Sequence, residues 1–344
     1  MASHDLDVVV TRGDAVESHH RVHAAVVDAC DLLVSGAGNP DLHTWWRSCA
    51  KPFQIIPLLE SGGFDALGWG DEELALACAS HGGEPEHVAI VESMLSDLGL
   101  EEGDLACGPF EPLSARGLKI VRESGVRVKR THNNCSGKHA AMLALAKHRG
   151  WPINGYERAE HPVQQAMLNQ VALWSDSTPA KLGVAIDGCG AAVFCLSLER
   201  MARAYARLGA AAGRGEEIPS RVLNAITRHP FLVGGTDRFD SVVIEETSGR
   251  VITKVGAEGV HSAVILDQSI GIALKVEDGN PRAQHPALVQ LLVDLDALPV
   301  PLPPRLAEYL VRPVRNSRGE IIGETRMRSH PRVRSRSAAG AAVV

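Results

Sequence analysis

Arg47-Ser48-Cys49-Ala50-Lys51 sets a hydroxyl and an amine three residues apart. On a helix that spacing puts both on one face. A serine hydroxyl is a weak nucleophile until a neighbour takes its proton, and a lysine can do so once burial or a second cation loosens its own. The first turn of a helix also presents backbone N–H groups, that of Ser48 among them, to a developing oxyanion. The motif alone carries little weight: with 23 serines and 8 lysines in 344 residues, about half a match arises by chance. A capping serine beside a solvated lysine is the commoner cause of those letters. The surroundings favour chemistry more. Pro52 follows directly, which a helix tolerates only near its start, and Phe53, Ile55, Ile56, Leu58 and Leu59 form an apolar face that would hold the pair rigidly.

Acyl-transfer sites of the penicillin-binding and β-lactamase type add to Ser-x-x-Lys a second serine and a Lys-Thr-Gly strand. Ser80, in Ala79-Ser80-His81-Gly82-Gly83-Glu84-Pro85, can supply that serine, and Lys254-Val255-Gly256 has the lysine and glycine without the threonine. Each alone is explained as a helix terminus or an edge-strand lysine; together, in this order, they suit a Ser-Lys site. A further set is Asn133-Asn134-Cys135-Ser136-Gly137-Lys138-His139 with Asp187-Gly188-Cys189-Gly190. Two cysteines in glycine-containing turns suggest a thiophilic metal, yet no Cys-x-x-Cys or His-x-x-x-His spacing completes a four-ligand zinc site. On residue chemistry alone, small buried thiols account for them as well.

These groups need elements to carry them. Val8-Val9-Val10 before Thr11-Arg12-Gly13-Asp14 predicts a strand and turn, and 23–28 a second strand. A helix from Ser48 stops at Ser61-Gly62-Gly63, and Pro85 opens another to about Leu98. A strongly amphipathic helix is expected from the Asn-Asn-Cys stretch to His148, with further helices over 163–174 and 198–208. Val242-Val243-Ile244, 251–254, 260–266 and 271–276 read as adjacent antiparallel strands, and 285–295 as a closing helix. The pattern is α+β: an antiparallel sheet flanked by helices, with a mostly helical middle. It predicts one domain over 1–325 and an Arg/Ser/Ala-rich tail over 326–344 that is disordered.

Composition narrows the classes. The chain is 45% hydrophobic and 22% charged, as a globular core requires. A net charge of -6 and 4% aromatic residues give no footing for nucleic acid or anionic membranes. No apolar run approaches the roughly 20 residues that span a bilayer, and the start lacks a signal-peptide pattern. Seven scattered cysteines predict free thiols in a reducing, cytoplasmic setting.

Several stretches, taken in order, resemble the asparaginase II family. They are Arg12-Gly13 with Val16-Glu17-Ser18-His19, Arg47-Ser48-x-x-Lys51-Pro52-Phe53-Gln54, and Ser80-His81-x-Gly83-Glu84. His132-Asn133-Asn134-Cys135-Ser136-Gly137-Lys138-His139, Asp187-Gly188-Cys189-Gly190, Gly235-Thr236-Asp237-Arg238-Phe239-Asp240 and Lys254-x-Gly256-Ala257-Glu258-Gly259 continue the series, and Val314-Arg315-Asn316-Ser317-Arg318-Gly319 resembles its ending. Cys49 stands where the family commonly has serine, and the arginine-rich tail departs from its compact end.

The resemblance implies a serine β-lactamase/glutaminase-like fold, a homodimer, and hydrolysis of L-asparagine to L-aspartate and ammonia. It implies two Ser-Lys pairs, Ser48 with Lys51 and Ser80 with Lys254, Lys275 being the reserve for the second lysine. A second cation there would keep Lys51 neutral by repulsion. It also implies a zinc ion held by Cys135, Lys138 and Cys189. A free amino acid needs both α-groups held: Arg47, His139 and Arg238 are candidates for the carboxylate, Glu17 and Asp187 for the ammonium. Two other readings compete, another Ser-Lys acyl hydrolase of glutaminase or β-lactamase type, and a non-catalytic protein that binds zinc or an amino acid.

Overall fold

The computed structural model describes residues 2–329. A six-stranded sheet forms its centre, in the spatial order Ala2–Ser3, Leu33–Ala37, Val22–Val27, Ile270–Val276, Val260–Ile265 and Val251–Val255. All neighbours are antiparallel except the first pair. The apolar runs predicted over 251–276 are adjacent here, Ala263 standing opposite Ile272 on one side and Thr253 on the other.

Both faces of this sheet are covered, which is why its strands read as continuous apolar runs. Successive side chains point to opposite faces. Ala25, Val27, Val264 and Ala273 therefore enter one core with the helix Leu198–Gly213. Val26, Ala263, Ile272 and Leu274 enter the other, with Pro281–Asp294 and Phe239–Glu246. Gly271 lets the first helix lie close: a Cβ there would meet the Ala202 carbonyl oxygen at 1.9 Å and the Ala206 nitrogen at 2.4 Å.

The middle of the chain is helical and built around Ser136–His148. This helix was expected to be amphipathic, but every residue from Ser136 to Ala146 is buried. Neighbouring helices enclose it, so no face had to be polar. Gly137 permits that closeness, since a Cβ would come within 2.5 Å of the Leu76 carbonyl. Two smaller sheets complete the molecule. One joins His43–Trp45, Ala192–Ser197 and Gly183–Ile186; the other joins Arg312–Arg315, Ile321–Met327, Val8–Arg12 and Ala15–His20.

Three expectations change. Val242-Val243-Ile244 is part of the helix Phe239–Glu246, not a strand; three apolar residues carry no period, and burial suits either form. The helix expected over 285–295 spans Pro281–Asp294 and does not close the fold, because Pro304–Leu310 and two strands follow. The tail boundary also moves: Arg326 and Met327 pair with Val9 and Val8 and are buried. The pairing of the last strand with Val8–Arg12 is long-range, which local patterning does not reveal. The rest of the predicted tail, from residue 330, lies outside the described residues. Among those described, no helix is long and apolar enough to cross a membrane.

Replacing Gly271 with alanine should push backbone against backbone and lower stability by about 1–3 kcal/mol. The same change at Gly103, where a Cβ meets nothing within 4 Å, should cost less than about 0.5 kcal/mol. Urea unfolding checks both, and equal midpoints would refute the packing role of Gly271.

Candidate active site

Ser48 lies on the 3-10 turn Arg47–Ala50, just after the strand His43–Trp45. The turn is fastened from several sides. Trp46 stacks on Phe53 at 5.1 Å and donates its indole N–H to Ser262 Oγ at 3.0 Å. Cys49 donates its thiol to the Lys254 carbonyl at 2.9 Å, and Tyr205 its hydroxyl to the Cys49 carbonyl at 2.8 Å. Arg47 has φ 52°, a left-handed conformation that strains a residue with a Cβ. The surrounding bonds hold it there, and they place Ser48 on the wall of a cleft of about 340 Å³.

Ser80, the loop 133–135, the turn 187–189 and the stretch 255–257 also line that cleft, together with Phe110, Leu113 and Arg238. Ser80 is the hub. Lys254 Nζ donates to its Oγ at 2.7 Å and Lys51 Nζ does so at 3.2 Å. Lys51 also donates to the Ala79 carbonyl and, at 3.2 Å, to the Asn134 carbonyl; Lys254 donates to the Val255 carbonyl at 3.0 Å. Both lysines are buried, each about 1% exposed. Burial drives the Lys254 amine down to about 8, against the pull of Asp240 and with the repulsion of Lys51. Lys254 therefore sheds its proton more readily than an ordinary lysine, beside the Lys51 that the family resemblance pairs with Ser48.

Lys275 is far from this constellation in bonding terms. Its amine donates to the carbonyls of Glu258 and Val276 at 2.7 and 2.5 Å. Lys254 is therefore the lysine that the fold brings to Ser80. Loop connections keep it there. Glu84, fully buried, accepts from the Thr236 amide and hydroxyl, each at 2.7 Å, and from Arg116 at 2.6 Å, tying the Ser80 loop to the Arg238 loop. His81 bonds Ser136 Oγ at 2.9 Å, tying it to the cysteine loop.

The proposed metal ligands also meet. Lys138 Nζ stands 3.3 Å from Cys189 Sγ, and the Asp187 carboxylate 3.9 Å from the same sulfur. Cys135 and Cys189 share a hydrogen bond, which raises the Cys135 thiol to about 12 and lowers Cys189 well below the ordinary thiol range. Burial opposes the charge on Lys138, but the two sulfurs and Asp187 outweigh it and hold its proton more firmly than usual. Among the described residues no group of three or more His, Cys, Asp or Glu could hold a metal; this donor set instead counts a lysine. Two convergent sulfurs and an amine fit a thiophilic ion once Lys138 gives up its proton.

The substrate-binding candidates divide. Arg47 Nε and Asp187 Oδ1 are 2.6 Å apart, so the two pair with each other on the cleft wall. Burial alone would raise the Asp187 carboxyl, yet Lys138 and Arg47 keep it below its usual range. Arg238 also lines the cleft, its guanidinium reaching the Leu113 carbonyl at 3.3 Å. His139 does not face the cleft. It is fully buried against the Tyr156 hydroxyl at 2.7 Å, and burial drives it down to about 3, so it stays neutral. Glu17 is exposed on the strand Ala15–His20, paired with Arg12 at 2.9 Å, and does not line the cleft. Both lie next to motif residues in sequence, which does not fix the direction of a side chain. Sequence reasoning passed over Glu84, Asp240 and the Asn134 carbonyl. The first two are acids in otherwise apolar or glycine-rich stretches; a backbone carbonyl leaves no trace in the letters.

Residues 8–327 match the L-asparaginase II family. No curated protein matches the chain. Among solved structures, a protein from Bacteroides dorei DSM 17855 provisionally named a beta-lactamase is similar at 10% identity and a TM-score of 0.40, over 83% of this chain and 93% of its own.

Cys189, lowered below the ordinary thiol range, should react with iodoacetamide near neutral pH, while Cys49 and Cys78, buried and raised to about 12, stay unmodified. Lys138→Met removes the neighbouring cation and should slow labelling of Cys189 about tenfold or more. Peptide mass mapping after chelation reads this; unchanged labelling would mean that Lys138 does not hold the thiolate.

Proposed function

Because the chain belongs to the L-asparaginase II family, we propose that it hydrolyses the side-chain amide of L-asparagine, giving L-aspartate and ammonia through a serine acyl-enzyme. The observation that carries this reading is the convergence of two buried lysine amines on Ser80 Oγ in the same cleft as Ser48. A free amino acid brings opposite charges on neighbouring atoms. The Arg47–Asp187 pair offers their complement on one wall, and Arg238 adds a second cation. Holding both α-groups would turn the side-chain amide toward the serines.

Ser48 attacks the amide carbon, and its N–H contributes to the oxyanion site. The proton from Ser48 passes by way of Lys51 and Ser80 toward Lys254, whose hold on its own proton burial has loosened. The same chain of groups returns a proton to the departing nitrogen, and water then releases aspartate. The 2.7 Å bond between Lys254 and Ser80 favours a second reading, in which Ser80 itself attacks. Among the described residues no such bond reaches the Ser48 hydroxyl, although contacts of this kind tighten when substrate binds.

Zinc belongs to the proposal as well. Cys135, Lys138 and Cys189 would hold it, and when bound it would supply a fixed positive charge beside the α-groups of the substrate or the 133–135 loop. A homodimer is proposed on the family resemblance alone.

Ser48→Ala should lower ammonia release from L-asparagine by about 10³-fold or more. Acyl-enzyme trapped by acid quench should then map to the Ser48 peptide of the unaltered protein; a label on the Ser80 peptide would transfer the nucleophile to Ser80. Chelation of zinc should raise KM more than it lowers kcat, as expected for a binding role. Loss of kcat at unchanged KM would sink that role.

A further inference from the structure

Asp240 is the second residue of the helix Phe239–Glu246, and its side chain is about 2% exposed. A buried carboxylate is costly unless its oxygens are all bonded. One oxygen accepts from the Thr253 hydroxyl and from His261 Nε2, both at 2.9 Å. The other accepts from the Val255 amide at 2.9 Å and lies 4.0 Å from Lys254 Nζ. The strand Val251–Val255 is the outer edge of the central sheet, so the carboxylate occupies a position where a further strand would bond.

The consequence reaches the cleft through one peptide unit. Val255 gives its N–H to Asp240 and accepts from Lys254 Nζ on its carbonyl at 3.0 Å. Fixing that residue fixes both the root of the Lys254 side chain and one of the two acceptors that aim its amine; the other is Ser80 Oγ. His261 bonds Asp240 through Nε2, while its Nδ1 has no partner among the described residues. We propose that Asp240, held by His261, Thr253 and the Val255 amide, is the positioning residue that aims Lys254 at Ser80 and governs when this amine takes a proton. The proposal rests on the reading of Lys254 as the proton acceptor of the relay.

The charges around the pair set the sign. Lys254 feels Asp240 as an attraction that favours its ammonium, Lys51 and Arg238 as repulsions, and the thiols of Cys49 and Cys78 as buried neighbours. Asp240 faces His261 and Lys254 directly, with Arg238 and His285 farther out. Burial drives His285 down to about 3, so it is neutral. Asp240→Asn removes the attraction, so Lys254 loses its proton at lower pH. His261→Ala strips a donor from the carboxylate, which then acts on Lys254 with less of its charge neutralised, and the proton is lost at higher pH.

The test is the pH dependence of kcat/KM for ammonia release from L-asparagine, whose acid limb reports the base of the free enzyme. The limb should move down by about one pH unit in Asp240→Asn and up in His261→Ala. Because the two shifts are opposite, either variant decides the matter if the other fails to fold. A purely structural Asp240 would lower the rate and leave the limb in place, and that result overturns the proposal. Lys254→Met is measured alongside. If it is inactive while the limbs stay fixed, only the role of Asp240 falls; if it retains turnover, the relay falls and the proposal with it.

Discussion

Lys51 and Lys254 bring their amines to the same hydroxyl, so their nitrogens stand no farther apart than two hydrogen bonds of 3.2 and 2.7 Å laid end to end. Two ammonium ions at about 6 Å repel by about 3 kcal/mol at an effective dielectric constant near 20. Water, which would lessen that repulsion, is excluded from both. The structure answers with carbonyl acceptors from Ala79, Asn134 and Val255 and with one buried carboxylate, Asp240. It also lets one of the two lysines lose its proton readily. The repulsion thereby serves chemistry, since a lysine that is easily neutral can accept a proton from a serine.

Keeping segments remote in sequence at this spot demands close backbone contact, and small residues supply it. Gly137 lets the helix behind Cys135 settle against Leu76, three residues before Ala79, so the thiol loop and the Ser80 loop adjoin. Glu84 and His81 then bond across to the Thr236 and Ser136 segments. The left-handed Arg47 turns Ser48 into the cleft while its guanidinium pairs with Asp187. Strain is tolerated there because Trp46, Cys49 and Tyr205 fasten the turn from behind. The cleft thus brings hydroxyls, amines, thiols and a carboxylate together.

The elements legible in the sequence were those with local signals. The helix opened by Pro85, the strands 251–255, 260–265 and 270–276, and the helical stretch behind Ser48, which divides into the 3-10 turn Arg47–Ala50 and the short helices Lys51–Gln54 and Ile56–Glu60, all have a proline, a glycine turn or an apolar run of the right length. The helix over 239–246 was misread because three apolar residues suit either form when every side is buried. The edge strands 15–20 and 183–186 are mostly exposed and have no apolar alternation to betray them. The closing strand to Met327 needs the chain's first long strand as its partner, some 300 residues away by sequence.

At the site, the sequence by itself determined the inventory: two serines, three lysines, two cysteines and the acids and arginines near them, together with the order of motifs that marks the family. Those are facts of residue type, and residue type fixes which atoms can attack, donate or coordinate. The tertiary structure decided their partners. It chose Lys254 over Lys275, buried His139 behind Tyr156, left Glu17 in solvent with Arg12, and enlisted Asp240. The reason is physical: whether a lysine holds its proton depends on burial and on charges within a few ångströms. Neither is a property of the residue or of its neighbours in sequence.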